Sequence, residues 1–265
     1  MSETKVPVDD ATINVVSEGS GDAIVLLHGF PYTQKLWDVQ AKMLAQTYRV
    51  VRPDLRGMGE SSVPSGPYLM ETLAGDLAAT LDALALERVS IVGHSLGGYV
   101  ALAFCRMFAE RVSRLILVCS RLAADTPATA RGREALADRI EVEGIQPAID
   151  AYLPRQFAPG IEKRNAQAVA TARSLMEGLD PLGTASMLRG MAARVSSEDI
   201  AEDLMMPVTV IAGVADVVVP LKESEAIAGA FSDGRLERME QSAHVPMLEE
   251  PEHFAARLIA ALAAH

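Results

Sequence analysis

The stretch from Val89 to Phe108 constrains the fold more than any other part of the sequence. Val89 to Val92 is short, apolar at most positions and rich in β-branched residues, which is typical of a strand covered on both faces. Gly93 to Gly98 contains three glycines and a serine, and Tyr99 to Phe108 has a helical composition. A strand that passes through a tight turn directly into a helix predicts a sheet with flanking helices.

Similar apolar runs recur on both sides of this unit. Between two of them, five leucines are spaced by four, four, four and three residues, which places them on one face of a helix over 69–84. Buried strands that alternate with amphipathic helices predict a parallel sheet and therefore the α/β class. The other predicted strands are Ala23 to Leu27, Tyr48 to Val51, Leu115 to Val118, Val208 to Ala212 and Arg235 to Met239.

The segment 121–200 loses this strand pattern. It is rich in alanine and arginine, glycine and proline interrupt it, and its 10 basic and 11 acidic residues leave it nearly neutral. This composition predicts a helical unit inserted into the sheet. We therefore expect residues 1–120 and 201–265 to form an α/β core and residues 121–200 to form a helical cap over it.

The net charge of −11 limits the partners that the chain can bind. No basic patch offsets it, so neither nucleic acid nor an anionic membrane is an expected partner, and no apolar run predicts a membrane span. Residues 1–10 lack a secretory signal pattern, and Cys105 and Cys119 are interpreted as small buried residues, so we expect a cytoplasmic protein. No metal-ligand spacing or cofactor motif is found, so no metal and no cofactor are expected. A homo-oligomer is left open.

Ser95 occupies the centre of a Gly-x-Ser-x-Gly pattern in the turn. Small residues on both sides of the serine are needed where a sharp turn pushes its hydroxyl above the sheet. The turn also places Ser95 at the start of a helix, whose unpaired N–H groups stabilise a developing anion. The pattern predicts a nucleophile, with His94 as a variable position rather than the base. The alternative is that the glycines only form a tight turn.

A serine hydroxyl is a weak nucleophile at neutral pH, so it needs an imidazole base that a carboxylate holds in one tautomer. His244 follows the last predicted strand, and Asp216 follows the strand before it. The chain order Ser95, Asp216, His244 is the order expected of this architecture. The alternatives are a histidine in a surface loop and an aspartate that only caps the turn before Pro220.

Acyl transfer also requires N–H donors for an oxyanion. One predicted donor is Leu96, directly after the nucleophile, and the other comes from the loop after Ala23 to Leu27. Pro31 in that loop has no N–H, so Phe30 is the predicted donor. The alternative is an ordinary turn in which the Phe30 ring packs inward.

A second glycine-containing turn, from Asp54 to Ser61, mixes charged residues with two glycines. It matches neither of the common phosphate-binding patterns. We therefore predict a structural turn that is held by a hydrogen-bond network of Asp54 and Arg56.

These motifs together resemble those of the α/β-hydrolase superfamily over nearly the whole chain. The resemblance implies a mostly parallel eight-stranded sheet flanked by helices, with a helical cap inserted after the sixth strand. Within the superfamily, the chain is similar to small capped carboxylesterases, 3-oxoadipate enol-lactonases and cofactor-free haloperoxidase-like perhydrolases. The residues that carry the resemblance are His28 to Pro31, Asp54 to Ser61, Gly93 to Gly98, Gly213 to Asp216 and Ala243-His244.

The resulting hypothesis is a serine hydrolase that cleaves small carboxylic esters or lactones through an acyl-enzyme intermediate. Perhydrolysis and carbon–carbon bond hydrolysis on the same triad stay open, and a ligand-binding scaffold without activity is disfavoured. An arginine in 121–200 is a candidate partner for a substrate carboxylate, with a purely solvated role as the alternative; the candidates are Arg121, Arg155 and Arg189. The predicted pocket residues, which are mainly apolar, are Phe30, Tyr32, Trp37, Leu96, Phe157 and Val217. For Trp37 and Phe157, the alternative is a position in the core.

Overall fold

A computed structural model describes residues 1–263 of the chain. Its centre is one eight-stranded sheet with the strand order β1-β2-β4-β3-β5-β6-β7-β8. The pairs β1–β2 and β2–β4 are antiparallel, and the five remaining pairs are parallel. The strands are β1 (Ser2–Val8), β2 (Ala11–Glu18), β3 (Ala23–Leu27), β4 (Arg49–Pro53), β5 (Val89–His94), β6 (Val112–Val118), β7 (Val208–Gly213) and β8 (Gly234–Met239).

The six strands predicted from the sequence are confirmed, and they form the parallel part of the sheet. Strands β1 and β2 were implied by the family resemblance but not by any local pattern. They form an antiparallel hairpin at one edge, and most side chains of β1 are exposed. An edge strand buried on one face only does not produce the continuous apolar run of a central parallel strand.

Helices cover both faces of the sheet. On one face, Leu73, Leu77 and Leu81 of the predicted stripe lie on α2 (Met70–Ala83), which packs with α3 (Leu96–Phe108) in one apolar cluster, whereas Leu69 before the helix is exposed. On the other face, α1 (Asp38–Leu44) packs with α10 (Pro251–Ala263) in a second cluster. The remaining helix beside the sheet, α8 (Leu221–Ala230), lies between β7 and β8 in the chain. Cys105 and Cys119 are buried free thiols, as expected.

Four helices separate β6 from β7: α4 (Pro127–Glu143), α5 (Gln146–Tyr152), α6 (Ile161–Glu177) and α7 (Pro181–Ala192). All four lie within the segment 121–200 for which helices were predicted. Two begin at N-caps whose side chains accept a backbone N–H, Thr126 for α4 and Asp180 for α7. The assignment of these helices to a separate cap domain stays a prediction, and they are called the insertion below.

The short helix α9 (Pro246–Glu249) follows β8 and precedes α10. It belongs to the connection that also carries His244, so it lies next to the candidate site. Within residues 1–263, none of the helices combines the length and the apolar character that crossing a membrane requires.

The loop between β8 and α9, residues 240–245, contains His244 and is called the histidine loop below. The end of β7 packs so closely against this loop that only glycine fits at position 213. A Cβ at Gly213 would lie 1.9 Å from the carbonyl oxygen of Ala243. We expect Gly213→Ala to lower the free energy of unfolding by about 1–3 kcal/mol, the usual range for overpacking. The measurement is the urea midpoint at unchanged m-value.

A matched control is Gly75→Ala in α2, where a Cβ would meet nothing within 4 Å. Alanine is the better helix former, so this variant should be more stable than the parent by about 0.5–1 kcal/mol. Equal urea midpoints for Gly213→Ala and the parent would contradict the close packing of β7 on the histidine loop.

Candidate active site

The turn after β5 holds Ser95 in a strained backbone conformation. Its φ is 49° and its ψ is −110°, between the end of β5 and the first residue of α3. A residue with a side chain rarely adopts a positive φ, and such strain clusters at functional sites. The glycines are required here, since a Cβ at Gly93 would lie 2.5 Å from the Gly97 carbonyl oxygen and one at Gly97 2.3 Å from that of Leu27.

The structure brings Ser95, His244 and Asp216 into one hydrogen-bonded chain. The Ser95 Oγ lies 3.1 Å from His244 Nε2, and His244 Nδ1 lies 2.8 Å from Asp216 Oδ2. With Nδ1–H donating to the carboxylate, Nε2 is free to accept the serine proton. All three residues are nearly covered, with relative exposures of 9%, 2% and 5% in the order named above.

Asp216 is held as a carboxylate by its local surroundings. Its Oδ1 accepts the backbone N–H groups of Val218 at 2.7 Å and Val219 at 3.0 Å, while Oδ2 accepts from His244. Burial alone would raise the pKa of Asp216, but the charge of His244 and these hydrogen bonds hold the pKa below its ordinary value. The alternative predicted for Asp216, a cap of the turn before Pro220, is therefore also observed. One side chain caps the turn with Oδ1 and accepts from His244 with Oδ2.

The backbone of His244 is fixed from two sides. Its N–H donates to the Gln156 carbonyl oxygen at 2.9 Å, and its own carbonyl oxygen accepts from His94 Nε2 at 2.8 Å. Burial, together with the nearby charge of His244, lowers the pKa of His94 to about 3, so that ring stays neutral near pH 7. His94 is not placed to act as the base. Its ring instead fixes the backbone of His244, a role that the sequence pattern did not indicate.

The loop that contains Phe30 lies beside the serine turn. A Cβ at Gly29 would fall 2.2 Å from His94 Nδ1, so this loop approaches the turn as closely as glycine permits. Phe30 follows Gly29 directly and is buried, and Leu96 is the first residue of α3 and is also buried. Both predicted oxyanion donors therefore lie in segments that adjoin Ser95, and their role as donors stays a prediction.

Two predicted pocket residues contact the insertion. The ring of Phe30 packs edge-on against Tyr152 of α5, with ring centroids 4.9 Å apart. The buried hydroxyl of Tyr32 donates to Gln156 Oε1 at 3.2 Å. A third, Phe157, is partly buried and lines a separate surface cleft of the insertion together with Leu153 and its neighbours.

Trp37 and Val217 differ from the prediction. Trp37 has no exposed surface, and its ring packs against Phe254 and edge-on against His94. The structure therefore places it in the core behind the histidines, because its large ring completes the apolar layer under α10. Val217 is 63% exposed and faces solvent. It lies in the turn whose N–H groups the Asp216 carboxylate accepts, and in that turn the side chain of Asp216 points inward while that of Val217 points outward.

The turn from Asp54 to Ser61 is structural, but it is held differently from the prediction. Asp54 accepts N–H groups of Gln34 and Glu60. Arg56 instead pairs with Asp10 and Asp76, which lie outside the turn. Asp54 and Arg56 therefore belong to two separate networks and not to the single shared network that was predicted, because their side chains leave the turn in different directions.

Glu249 is a buried carboxylate that the sequence analysis did not single out. Its Oε1 accepts the N–H of Ala243 at 2.6 Å, and its Oε2 accepts the N–H of Ala158 at 2.9 Å. One carboxylate thus joins the residue before His244 to the insertion. Burial raises the pKa of Glu249 above its ordinary value, although both N–H donors partly oppose this shift.

Replacing Glu249 with glutamine should misplace His244 without removing any group of the triad. An amide has one acceptor oxygen, so its NH₂ must face one of the two N–H groups that the carboxylate now accepts. We expect kcat to fall about 10- to 100-fold, the scale of a misplacement near 1 Å. Glu252→Gln, a neutralised exposed carboxylate nearby, is the matched control and should keep the parent kcat. Equal kcat for both variants would contradict the positioning role.

Comparison with known proteins places this geometry in a family. The sequence profile of the alpha/beta hydrolase family matches residues 24–257. The chain belongs to the alpha/beta hydrolase family. The 3-oxoadipate enol-lactonase 2 of Acinetobacter baylyi is 27% identical to it over 251 residues, which cover 92% of this chain and 91% of that protein.

Two solved structures are similar over almost their whole length. An esterase from Thermogutta terrifontis, solved with malate bound, has a TM-score of 0.96 and 30% identity, with 99% of this chain and 98% of that chain covered. An enol-lactonase from Burkholderia xenovorans has a TM-score of 0.90 and 26% identity, with coverage of 97% and 98%. These similarities confirm the predicted alpha/beta hydrolase fold and support hydrolase activity.

Proposed function

We propose that the protein is a serine hydrolase of small carboxylic esters or lactones. The observation that carries this proposal is the hydrogen-bonded chain from Ser95 through His244 to Asp216. Acyl transfer requires a hydroxyl nucleophile, a base within reach of its proton and a carboxylate that orients the base. The names of the similar esterase and enol-lactonases agree with this reaction class.

The reaction begins when Ser95 Oγ attacks the carbonyl carbon while His244 Nε2 takes the hydroxyl proton. The carbonyl oxygen becomes an oxyanion, which the N–H groups of Phe30 and Leu96 stabilise. Collapse of this intermediate breaks the ester C–O bond, and His244 returns the proton to the leaving oxygen. Asp216 stabilises the imidazolium throughout.

The second half uses water in place of the alcohol. His244 takes a proton from water, the hydroxide oxygen attacks the acyl carbon, and collapse releases the carboxylic acid and restores the Ser95 hydroxyl. A carboxylate nucleophile, which would form an alkyl-enzyme ester, is not available because position 95 is serine. We expect short acyl groups to be preferred, and the malate held by the similar esterase is also a small molecule.

The test is turnover of p-nitrophenyl acetate, butyrate and octanoate and of a small lactone. We expect hydrolysis with kcat/KM highest for the short acyl groups and a burst of p-nitrophenol equal to the enzyme concentration where deacylation is slow. Addition of hydrogen peroxide measures perhydrolysis in the same assay. The absence of turnover for every ester and lactone, from protein that is fully folded, would contradict the proposal.

A further inference from the structure

A buried cluster of charged residues in the insertion carries more positive than negative charge. Arg133 and Arg194 both pair with Asp125, and the side chains of Arg133, Arg194 and Asp125 are 14%, 4% and 1% exposed. Two guanidinium groups thus share one carboxylate. Burying a charge without a full complement of partners is costly, so the surplus cation calls for an explanation.

The surplus resides on Arg194. Its Nη2 donates to the carbonyl oxygen of Ala123, but its Nε and Nη1 are buried and have no hydrogen-bond acceptor among residues 1–263. The guanidinium stacks on the ring of Tyr99, with 3.7 Å between its Cζ and the ring centroid. Stacking covers the face of the guanidinium, whereas its N–H groups point outward in the plane, so stacking gives Nε and Nη1 no acceptor.

This cluster adjoins the candidate active site on two sides. Tyr99 lies in the first turn of α3, where its N–H donates to the carbonyl oxygen of Ser95 at 3.3 Å. Arg133 Nη1 donates to the hydroxyl of Tyr152 at 2.9 Å, and the ring of Tyr152 packs against Phe30. The cluster is therefore linked to the serine turn through Tyr99 and to the loop with the predicted oxyanion donor through Tyr152.

The arginines considered from the sequence are placed differently. Arg121 pairs with Glu223 and donates to the carbonyl oxygen of Val218, and Arg155 is exposed. Arg189 pairs with three carboxylates on α4, which are Glu134, Asp138 and Glu141. Their charges are either balanced already or open to solvent.

We propose that Arg194, supported by Arg133, binds a carboxylate group of the substrate, so that the preferred substrates are anionic esters or lactones. This inference rests on the proposed function. A carboxylate oxygen can accept a charge-assisted hydrogen bond from Nε or from Nη1, the two nitrogens of Arg194 that have no acceptor among residues 1–263. Both nitrogens are covered by protein atoms, so the side chains over them must shift when the carboxylate binds. The surplus local charge also offsets the repulsion of an anion by a chain of net charge −11.

Two matched substrate pairs test this in the unmodified enzyme. The first pair is mono-p-nitrophenyl succinate and its methyl ester, with the carboxylate on the acyl side. The second is 4-acetoxybenzoate and its methyl ester, with the carboxylate on the alcohol side. We expect kcat/KM to favour the anion about 10- to 100-fold in at least one pair, as a charge-assisted hydrogen bond implies. The pair that responds identifies the side that Arg194 contacts.

Variants then assign the preference to a residue. Arg194→Met should remove the preference for the anion and leave kcat/KM for the neutral ester near the parent value, whereas Arg194→Lys should retain part of it. Arg189→Met, which removes a cation of the same insertion, is the matched control and should leave kcat/KM unchanged for both substrates. Succinate should inhibit the parent competitively and Arg194→Met at least about 10-fold more weakly.

Equal or lower kcat/KM for the anions in the unmodified enzyme would overturn the inference, whether or not the variants fold. A different result would show that Arg194 has only a structural role. In that case Arg194→Met would lose activity on both the anionic and the neutral substrate and have a lower melting temperature, and Arg194→Lys would not regain the preference for the anion. Both results leave the proposed function standing as long as hydrolysis of the neutral esters requires Ser95.

Discussion

Replacing Ser95 with alanine should lower kcat for p-nitrophenyl butyrate by about 10⁴- to 10⁶-fold, the range found when a triad member is removed. The hydroxyl is the only group of the proposed mechanism that forms a bond to the substrate. Alanine keeps the Cβ and accepts the same backbone as serine, so the turn between β5 and α3 should persist. The measurement is steady-state hydrolysis with enough enzyme to detect a residual rate.

The matched control for this variant is Ser90→Ala. Ser90 lies on the same strand, and its hydroxyl contacts that of Ser113 near the opposite end of β5. We expect this variant to keep the parent kcat. If Ser95→Ala retained the parent activity after removal of contaminating esterases, another residue would have to be the nucleophile and the proposed function would fail.

The second large effect is expected for Asp216→Asn. The amide oxygen can still accept the N–H groups of Val218 and Val219, so the turn should keep its shape. The amide cannot stabilise the imidazolium of His244 with a charge, and its NH₂ favours the wrong tautomer of that ring. We expect kcat to fall about 10⁴-fold, as for the equivalent change in a serine protease triad.

The same variant should change how stability depends on pH. Because the pKa of Asp216 is lower in the folded protein than in the unfolded chain, its contribution to stability is present above about pH 4 and is lost as the pH falls further. Asp216→Asn should therefore show a smaller loss of stability between neutral pH and the acid range than the parent does. Asp203→Asn, at an exposed position, is the control. A parent-like kcat for Asp216→Asn would contradict the assigned role.

The parallel strands and the meeting of Ser95, Asp216 and His244 were predictable from the sequence for related physical reasons. Central strands buried on both faces produce short, continuous apolar runs, which stand out against amphipathic helices. Ser95 and Asp216 follow two of these runs, and His244 follows the more polar edge strand β8. The carboxyl ends of parallel strands meet at one edge of the sheet. Their meeting therefore follows from the strand pattern once the sheet is accepted.

Other features depend on contacts that no local pattern reveals. Glu249 binds Ala158, which is 91 residues away in the chain, and Arg194 meets Tyr99 across the fold. An isolated charged residue of this kind is indistinguishable in sequence from a solvated one. Trp37 was predicted to line the pocket and instead fills the core. The sequence around an aromatic residue near a catalytic loop does not distinguish these two positions.

The most direct test of the account is covalent labelling with a fluorophosphonate, followed by mass mapping of the modified peptide. The probe reacts with a serine hydroxyl only where a base activates it, which is the central claim made for Ser95 and His244. We predict one label per chain, located on Ser95, absent in Ser95→Ala and strongly slowed in Asp216→Asn. A label on any other residue, or none on folded protein, would contradict the account.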